Sequence, residues 1–163
     1  MTAYDDVPFL SLPLVQSHPD RLAAVATLSG LRAADPETCR VLELGCASGG
    51  NLIPMASGLS ESHFVGLDAS ARGIAAAREA SSDLGLSNVT WIEADVESWE
   101  QALDGEEPFD FIICSGLFSW VSTRAQAEIL RLCGALLSPA GVATLSFNAL
   151  PGWQPRIALR ELL

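Results

Sequence analysis

Short runs of apolar residues recur along this chain and alternate with segments of helical periodicity. The runs occupy positions 40–45, 63–67, 89–94, 109–114 and 142–147. They are nearly continuous in hydrophobicity, which is typical of strands that are buried on both faces of a parallel sheet. Strands that alternate with helices build such sheets through right-handed crossovers. The pattern therefore predicts an α/β fold with a Rossmann-like, doubly wound parallel sheet.

The helical segments begin and end at recognisable signals. Before the first strand, S-H-P-D-R-L begins a helix that Ser17 or His18 can cap, with Pro19 in the first turn and Gly30 as a stop. Further helices are predicted at 51–58, 70–84, 97–103, 123–137 and 154–163. The sequence S-P-A-G at 138–141 predicts a turn before the fifth strand.

A chain of 163 residues, 49% of them hydrophobic, is long enough for one domain with a core and too short for two. We expect an N-terminal cap segment and helix at 1–38 and a core at 39–163. The first residues carry Asp5 and Asp6 and no basic residue, which is unlike a signal peptide. We therefore expect a cytoplasmic protein that does not associate with a membrane.

The net charge of −11 bears on the partners of the chain. An acidic surface repels phosphate backbones, so nucleic acid is not expected as a substrate, whereas a basic protein or an amine would be attracted. The acidity also has a simpler explanation, since it aids solubility. The four cysteines form no C-x-x-C pair and have no histidine at zinc spacing, so no metal site is expected.

The first strand leads into E-L-G-C-A-S-G-G-N at 43–51, which predicts a ligand-binding loop. Gly45 permits a tight turn, and Gly49 and Gly50 allow a ligand to approach the backbone closely. The loop is neither a P-loop nor G-x-G-x-x-G. Glu43, two residues before the first glycine, would repel phosphates and favours a ligand with a cationic end.

Two aspartates follow the second and third strands. Asp68 ends G-L-D, roughly 20 residues after the first glycine, where an acidic residue accepts hydrogen bonds from ribose hydroxyls. Asp95 ends E-A-D and is placed to accept from an adenine amino group. Each has a structural alternative: Asp68 as a cap of the next helix, and Asp95 as a turn residue.

These motifs together resemble a known family. V-L-E-L-G-C-A-S-G-G-N, F-V-G-L-D-A-S, I-E-A-D-V and F-D-F-I-I-C-S-G resemble the ordered motifs of class I S-adenosylmethionine (SAM)-dependent methyltransferases over residues 40–147. Y-D-D-V-P-F, Q-S-H-P-D-R-L, G-L-F-S-W-V and F-N-A-L-P-G-W resemble a narrower group, bacterial methyltransferases that carry a methyltransferase regulatory domain. That group includes protein-lysine methyltransferases.

The resemblance implies a SAM cofactor, methyl transfer to an amine such as a protein lysine, and a C-terminal regulatory domain in full-length relatives. It implies these roles by position: Glu43, Gly45, Ala47 and Gly49 around methionine and sulfonium, Asp68 at the ribose, Asp95 at the adenine, Ser115 and Gly116 facing the transferred methyl, and Tyr4, Gln16 and His18 in a covering segment. For His18, a helix cap is an equally good interpretation.

The chain departs from the family at the acceptor side. Relatives tend to read H-G-x-Y-S-W and Y-N-x-x-P-G-W, whereas this chain has Ser115, Phe118 and Phe147 and so lacks a histidine and two phenol hydroxyls. Trp120 and Trp153 remain and could form apolar or cation–π walls for a methylammonium. Simple packing would also account for both tryptophans.

Five strands are predicted where the class I fold normally has seven, so the chain resembles a fragment that stops after the fifth strand. An alternative function is therefore a SAM-binding module that has no catalytic activity of its own. An NAD-dependent oxidoreductase suits the fold, but it does not suit Glu43 or the glycine spacing.

Overall fold

A computed structural model describes residues 11–154. The strands are β1 (Arg40–Leu44), β2 (His63–Asp68), β3 (Val89–Glu93), β4 (Phe109–Cys114) and β5 (Leu137–Leu145). The helices are α1 (Pro19–Leu28), α2 (Leu52–Gly58), α3 (Ala71–Asp83), α4 (Trp99–Ala102) and α5 (Thr123–Leu136). Short 3-10 turns lie at Val15–Ser17, Pro36–Thr38 and Val96–Ser98.

The five strands form one parallel sheet in the order β3-β2-β1-β4-β5. The chain moves outward from β1 to β3 and then returns to β4 on the other side of β1. The strand order therefore reverses between β1 and β4, and ligands of open α/β sheets bind at the carboxyl ends of the strands beside this point. The predicted doubly wound parallel α/β fold is confirmed.

Apolar side chains cover both faces of the sheet. One buried cluster contains Val41, Phe64 and Phe111, together with residues of α2 and α3. A second contains Leu42 and Ile112, together with residues of α4 and α5. Neighbouring residues of one strand enter different clusters because successive side chains of a strand point to opposite faces. This burial explains the nearly continuous hydrophobicity of the strands.

The fifth strand differs from its prediction. It begins at Leu137, directly after α5, and ends at Leu145, whereas the sequence predicted a turn at 138–141 and a strand at 142–147. Leu137 already has extended backbone angles and pairs with Phe109, and the register shifts between Phe109 and Phe111. Pro139 lies between the paired residues Leu137 and Val142, within this register shift, and β5 is the edge strand among the described residues. Both positions tolerate a residue that lacks an N–H.

Two further predictions concern the ends of the chain and membrane spans. The predicted helix at 154–163 lies almost wholly outside the described residues. Among residues 11–154, no helix combines the length and apolar character that crossing a bilayer requires.

Candidate functional site

A cavity of about 520 Å³ opens at the carboxyl ends of β1 to β4. Its volume lies within the range of roughly 300–1,000 Å³ that is typical of small-molecule sites. The lining residues follow the four strands in turn: Gly45, Ala47 and Ser48; Asp68, Ala69, Ser70, Arg72, Gly73 and Ala76; Asp95, Val96 and Trp99; and Ser115, Gly116, Leu117, Trp120 and Val121. The cavity thus brings together six of the site residues that the sequence predicted.

The loop after β1 has the backbone shape that its glycines predicted. Gly45, Ala47 and Gly49 have φ values of 80°, 49° and 76°, in the left-handed region that favours glycine. A Cβ at Gly49 would lie 2.5 Å from the ring of Trp91. Gly49 is therefore required by packing against β3 as well as by its dihedral angle, and it is not among the residues that line the cavity.

Asp68 holds this loop in place. Its Oδ2 accepts a hydrogen bond from the Ala47 N–H at 2.8 Å, and its Oδ1 accepts one from the Ser70 N–H at 2.8 Å. The first bond secures Ala47, a non-glycine residue with positive φ. The cap of α3 is instead Ser70, whose Oγ accepts from the Gly73 N–H. Asp68 therefore supports the cavity-lining backbone and does more than mark the start of a helix.

Glu43 is a buried carboxylate, with 4% of its surface exposed. Its Oε1 accepts a hydrogen bond from Asn51 Nδ2 at 2.8 Å, while its Oε2 is buried and has no partner among the described residues. The pKa of Glu43 is raised to about 7: burial is the largest cause, the Asn51 hydrogen bond opposes the rise, and the nearby Asp68 adds to it. Glu43 is not one of the cavity-lining residues. An unsatisfied buried acceptor next to this loop suits a cationic donor and opposes a phosphate.

Sequence reasoning missed Asn51. The sequence placed Asn51 only at the boundary between a loop and a helix. In the structure, its buried side-chain amide contacts Leu14, Ser17 and Glu43. The available signal was a polar residue at the end of G-G-N, next to apolar residues of a helix that packs on the sheet. Asn51 provides no side-chain cap to α2, so capping does not explain it.

Three predicted contacts have different outcomes. Asp95 lines the cavity and also accepts from the Ser98 N–H at 3.1 Å, as a turn residue does. Its contact with adenine stays a prediction. His18 caps α1, where its Nδ1 accepts from the Asp20 N–H at 3.3 Å, and it does not line the cavity. Its contact with a cofactor stays a prediction. Tyr4 lies outside the described residues.

Ser115 and Gly116 line the end of the cavity that follows β4. That they face the transferred methyl stays a prediction. The Gly116 N–H donates to Ser146 Oγ at 2.8 Å, which joins this segment to the residues after β5. Trp120 also lines the cavity and meets Trp153 edge to face, with ring centroids 6.1 Å apart. Trp120 is 53% exposed, so its ring is not a core residue. This end of the cavity is apolar and aromatic.

Comparison with known proteins identifies the family of the chain. Residues 41–141 match a family model described as a methyltransferase domain. Uncharacterized protein RP789 of Rickettsia prowazekii is 39% identical over 160 residues, which are 98% of this chain and 28% of that protein. Uncharacterized protein RP028 of the same organism is 32% identical over 161 residues, 99% of this chain and 63% of that protein.

Among solved structures, PKMT2 from Rickettsia typhi in complex with AdoHcy matches with a TM-score of 0.88 and 32% identity, over 95% of this chain and 30% of that chain. The present chain spans less than two thirds of the length of each of these three proteins. The family match covers β1 to β4 and with them the glycine loop, Asp68, Asp95 and Ser115. This chain therefore belongs to the methyltransferase domain family and has the class I fold, whose cofactor is S-adenosylmethionine.

Proposed function

We propose that this chain binds SAM in the cavity at the carboxyl ends of β1 to β4, and that the protein it belongs to transfers the methyl group to an amine. The observation that carries this proposal is the convergence of Gly45, Asp68, Asp95 and Ser115 on one cavity from four different strands. Site residues that come from separate strands of an α/β sheet are typical of a ligand crevice rather than of a structural contact.

The charges around the cavity favour SAM over a phosphorylated ligand. Asp68 and Asp95 line it, and Arg72 is the cationic residue among the described lining residues. Arg72 has an interaction of its own, and the buried Glu43 adds a carboxyl group near the carboxyl end of β1. These negative charges would repel a pyrophosphate, whereas the ammonium and sulfonium of SAM would be attracted. We assign the ribose hydroxyls to Asp68, the adenine amino group to Asp95 and the cationic methionine end to Glu43.

The other end of the cavity suits an amine acceptor. SAM supplies a methyl group on a sulfonium, and the acceptor must present a neutral nitrogen lone pair to it. The apolar lining at Leu117, Trp120 and Val121 disfavours the charged form of an amine and so lowers its pKa. The Trp120 face can also hold a methylammonium. The main catalytic contribution that we assign to the chain is to align the acceptor nitrogen with the methyl group of SAM in this apolar end.

The acceptor that we favour is a lysine of a protein, with a small amine as the other member of the class. Similarity to PKMT2 supports this choice, as does the net charge of −11, which attracts basic partners. The full-length protein would carry a C-terminal regulatory domain, as the resemblance implies. The cysteines in the described chain are free and buried, in agreement with a cytoplasmic location.

Calorimetric titration of the chain with S-adenosylhomocysteine and with NAD⁺ tests the cofactor assignment. We expect the first to bind and the second not to. Asp68→Ala should weaken binding by roughly 1–3 kcal/mol because ribose hydroxyls and the Ala47 N–H lose their acceptor. Glu79→Gln, at an exposed position of α3, is the matched control. Binding of NAD⁺ in preference to S-adenosylhomocysteine would refute the assignment.

Turnover separates an enzyme from a binding module. Mass spectrometry of lysine-rich proteins incubated with SAM and the full-length protein should detect methyllysine. Trp120→Ala should lower the rate while cofactor affinity is retained, because the apolar end is lost. Tight cofactor binding without methyl transfer to any amine would favour the non-catalytic alternative, which the absence of phenol hydroxyls at Phe118 and Phe147 supports.

A further inference from the structure

Asn51 joins three parts of the molecule that are distant in sequence. Its Oδ1 accepts a hydrogen bond from the Leu14 N–H at 2.9 Å. Its Nδ2 donates to Ser17 Oγ at 3.1 Å and to Glu43 Oε1 at 2.8 Å. The Asn51 side chain is 4% exposed, so these groups replace water as its partners. A single amide thus connects the chain before α1 to the carboxylate of β1.

Residues 11–17, which we call the N-terminal segment, lie directly on the glycine loop after β1. The Gly50 N–H donates to Ser11 Oγ at 2.9 Å, and a Cβ at Gly50 would collide with the Ser11 backbone. At the other end of the segment, Ser17 is 1% exposed, and its Oγ donates to Leu14 O at 2.8 Å. The segment is therefore held at both ends against the turn that leads into α2.

We propose that Asn51 is a positioning residue that links the N-terminal segment to the Glu43 carboxylate, so that seating of the segment and orientation of that carboxylate occur together. The inference rests on the proposed function, because it assigns Glu43 to the cofactor. It adds that cofactor affinity depends on residues that do not line the cavity. Ser17 does not line the cavity, yet the affinity for cofactor depends on its hydroxyl.

The Glu43 carboxyl group reports on this link without any ligand. Burial raises its pKa and the Asn51 hydrogen bond lowers it. The other ionisable groups that act on or respond to it are Asp68, Cys46 and Cys114. If the segment loosens, Asn51 holds the carboxylate less well and the pKa of Glu43 rises further.

The experiment compares Ser17→Ala with Ser29→Ala. Each change removes a hydroxyl that donates to a backbone carbonyl. The Ser17 hydroxyl is buried and lies beside Asn51, whereas the Ser29 hydroxyl is exposed and donates to Val25 O of α1. We expect Ser17→Ala to weaken S-adenosylhomocysteine binding about threefold or more, in the range of one lost hydrogen bond. Ser29→Ala should leave the affinity unchanged. Ser11→Ala, at a less buried position, is a second and milder variant of the segment.

A carbon-13 NMR titration of the Glu43 carboxyl group in the ligand-free chain is the second measurement. Its pKa should rise in Ser17→Ala and remain at the wild-type value in Ser29→Ala. Loss of thermal stability in Ser17→Ala with unchanged affinity and unchanged Glu43 titration would overturn the proposal and leave a merely structural contact. If wild-type chain bound no S-adenosylhomocysteine, the proposed function would fail, while the titration would still decide whether the link exists.

Discussion

Replacing Glu43 by Gln should flatten the pH dependence of stability. Burial places the pKa of Glu43 at about 7, compared with 4.5 for an ordinary glutamate. Because the folded-state pKa is the higher one, the native chain binds a proton between these values that the unfolded chain has released. The contribution of Glu43 to the free energy of unfolding is therefore fully present below pH 4.5 and is lost as the pH rises through 7.

The magnitude follows from the two pKa values. At about 1.36 kcal/mol per pH unit, the interval from 4.5 to 7 corresponds to roughly 3 kcal/mol over the whole titration. Between pH 5.5 and pH 8, a window that stays above the pI of about 4.4, the loss is roughly 2 kcal/mol. Gln keeps the oxygen that accepts from Asn51 but does not ionise. The free energy of unfolding of wild type relative to Glu43→Gln should fall by that amount across the window.

Urea unfolding at constant ionic strength, at half-unit steps from pH 5.5 to 8, measures this difference. Glu79→Gln is the matched control, since it makes the same chemical change at an exposed position of α3. Its stability curve should run parallel to that of wild type. Parallel curves for Glu43→Gln as well would show that Glu43 is not a desolvated acid, and the assignment of a cationic ligand group to it would lose its electrostatic basis.

Three other predictions address packing, capping and partners. Gly49→Ala should destabilise the chain by roughly 2–4 kcal/mol in thermal or urea unfolding, because its Cβ would lie 2.5 Å from Trp91 at a φ of +76°. Gly58→Ala is the control: a Cβ there would have no atom within 4 Å, so the change should be neutral or stabilise the chain by up to about 1 kcal/mol. Ser122→Ala should cost about 1 kcal/mol in the same assay, since its Oγ caps α5 at the Ala125 N–H, and an unchanged midpoint would dismiss the cap. In a gel shift at physiological salt the chain should retain neither tRNA nor duplex DNA, and micromolar retention would contradict the inference from its charge.

The sheet and the glycine loop were accessible from sequence because their signals are local. A buried parallel strand such as Val41 to Leu44 needs apolar residues in succession, and the turn after it needs glycine at positive φ. Asp68 was found for the same reason, since it ends a strand next to that turn. The start of β5 was not accessible, because the pairing of Leu137 with Phe109 and the tolerance of Pro139 depend on the position of the strand in the sheet.

The sequence by itself determined the alternation of strands and helices, the position of the glycine loop after β1, and the acidic residues at the carboxyl ends of β1, β2 and β3. Only the tertiary structure decided which polar groups meet. Ser17 is 34 residues from Asn51, and Glu43 is 8 residues from it, yet one buried amide satisfies both. No periodicity encodes such a contact, because it arises where the segment before α1 packs against the loop after β1. Burial of Glu43, which raises its pKa, is likewise a property of the packed layers and not of its neighbours in the chain.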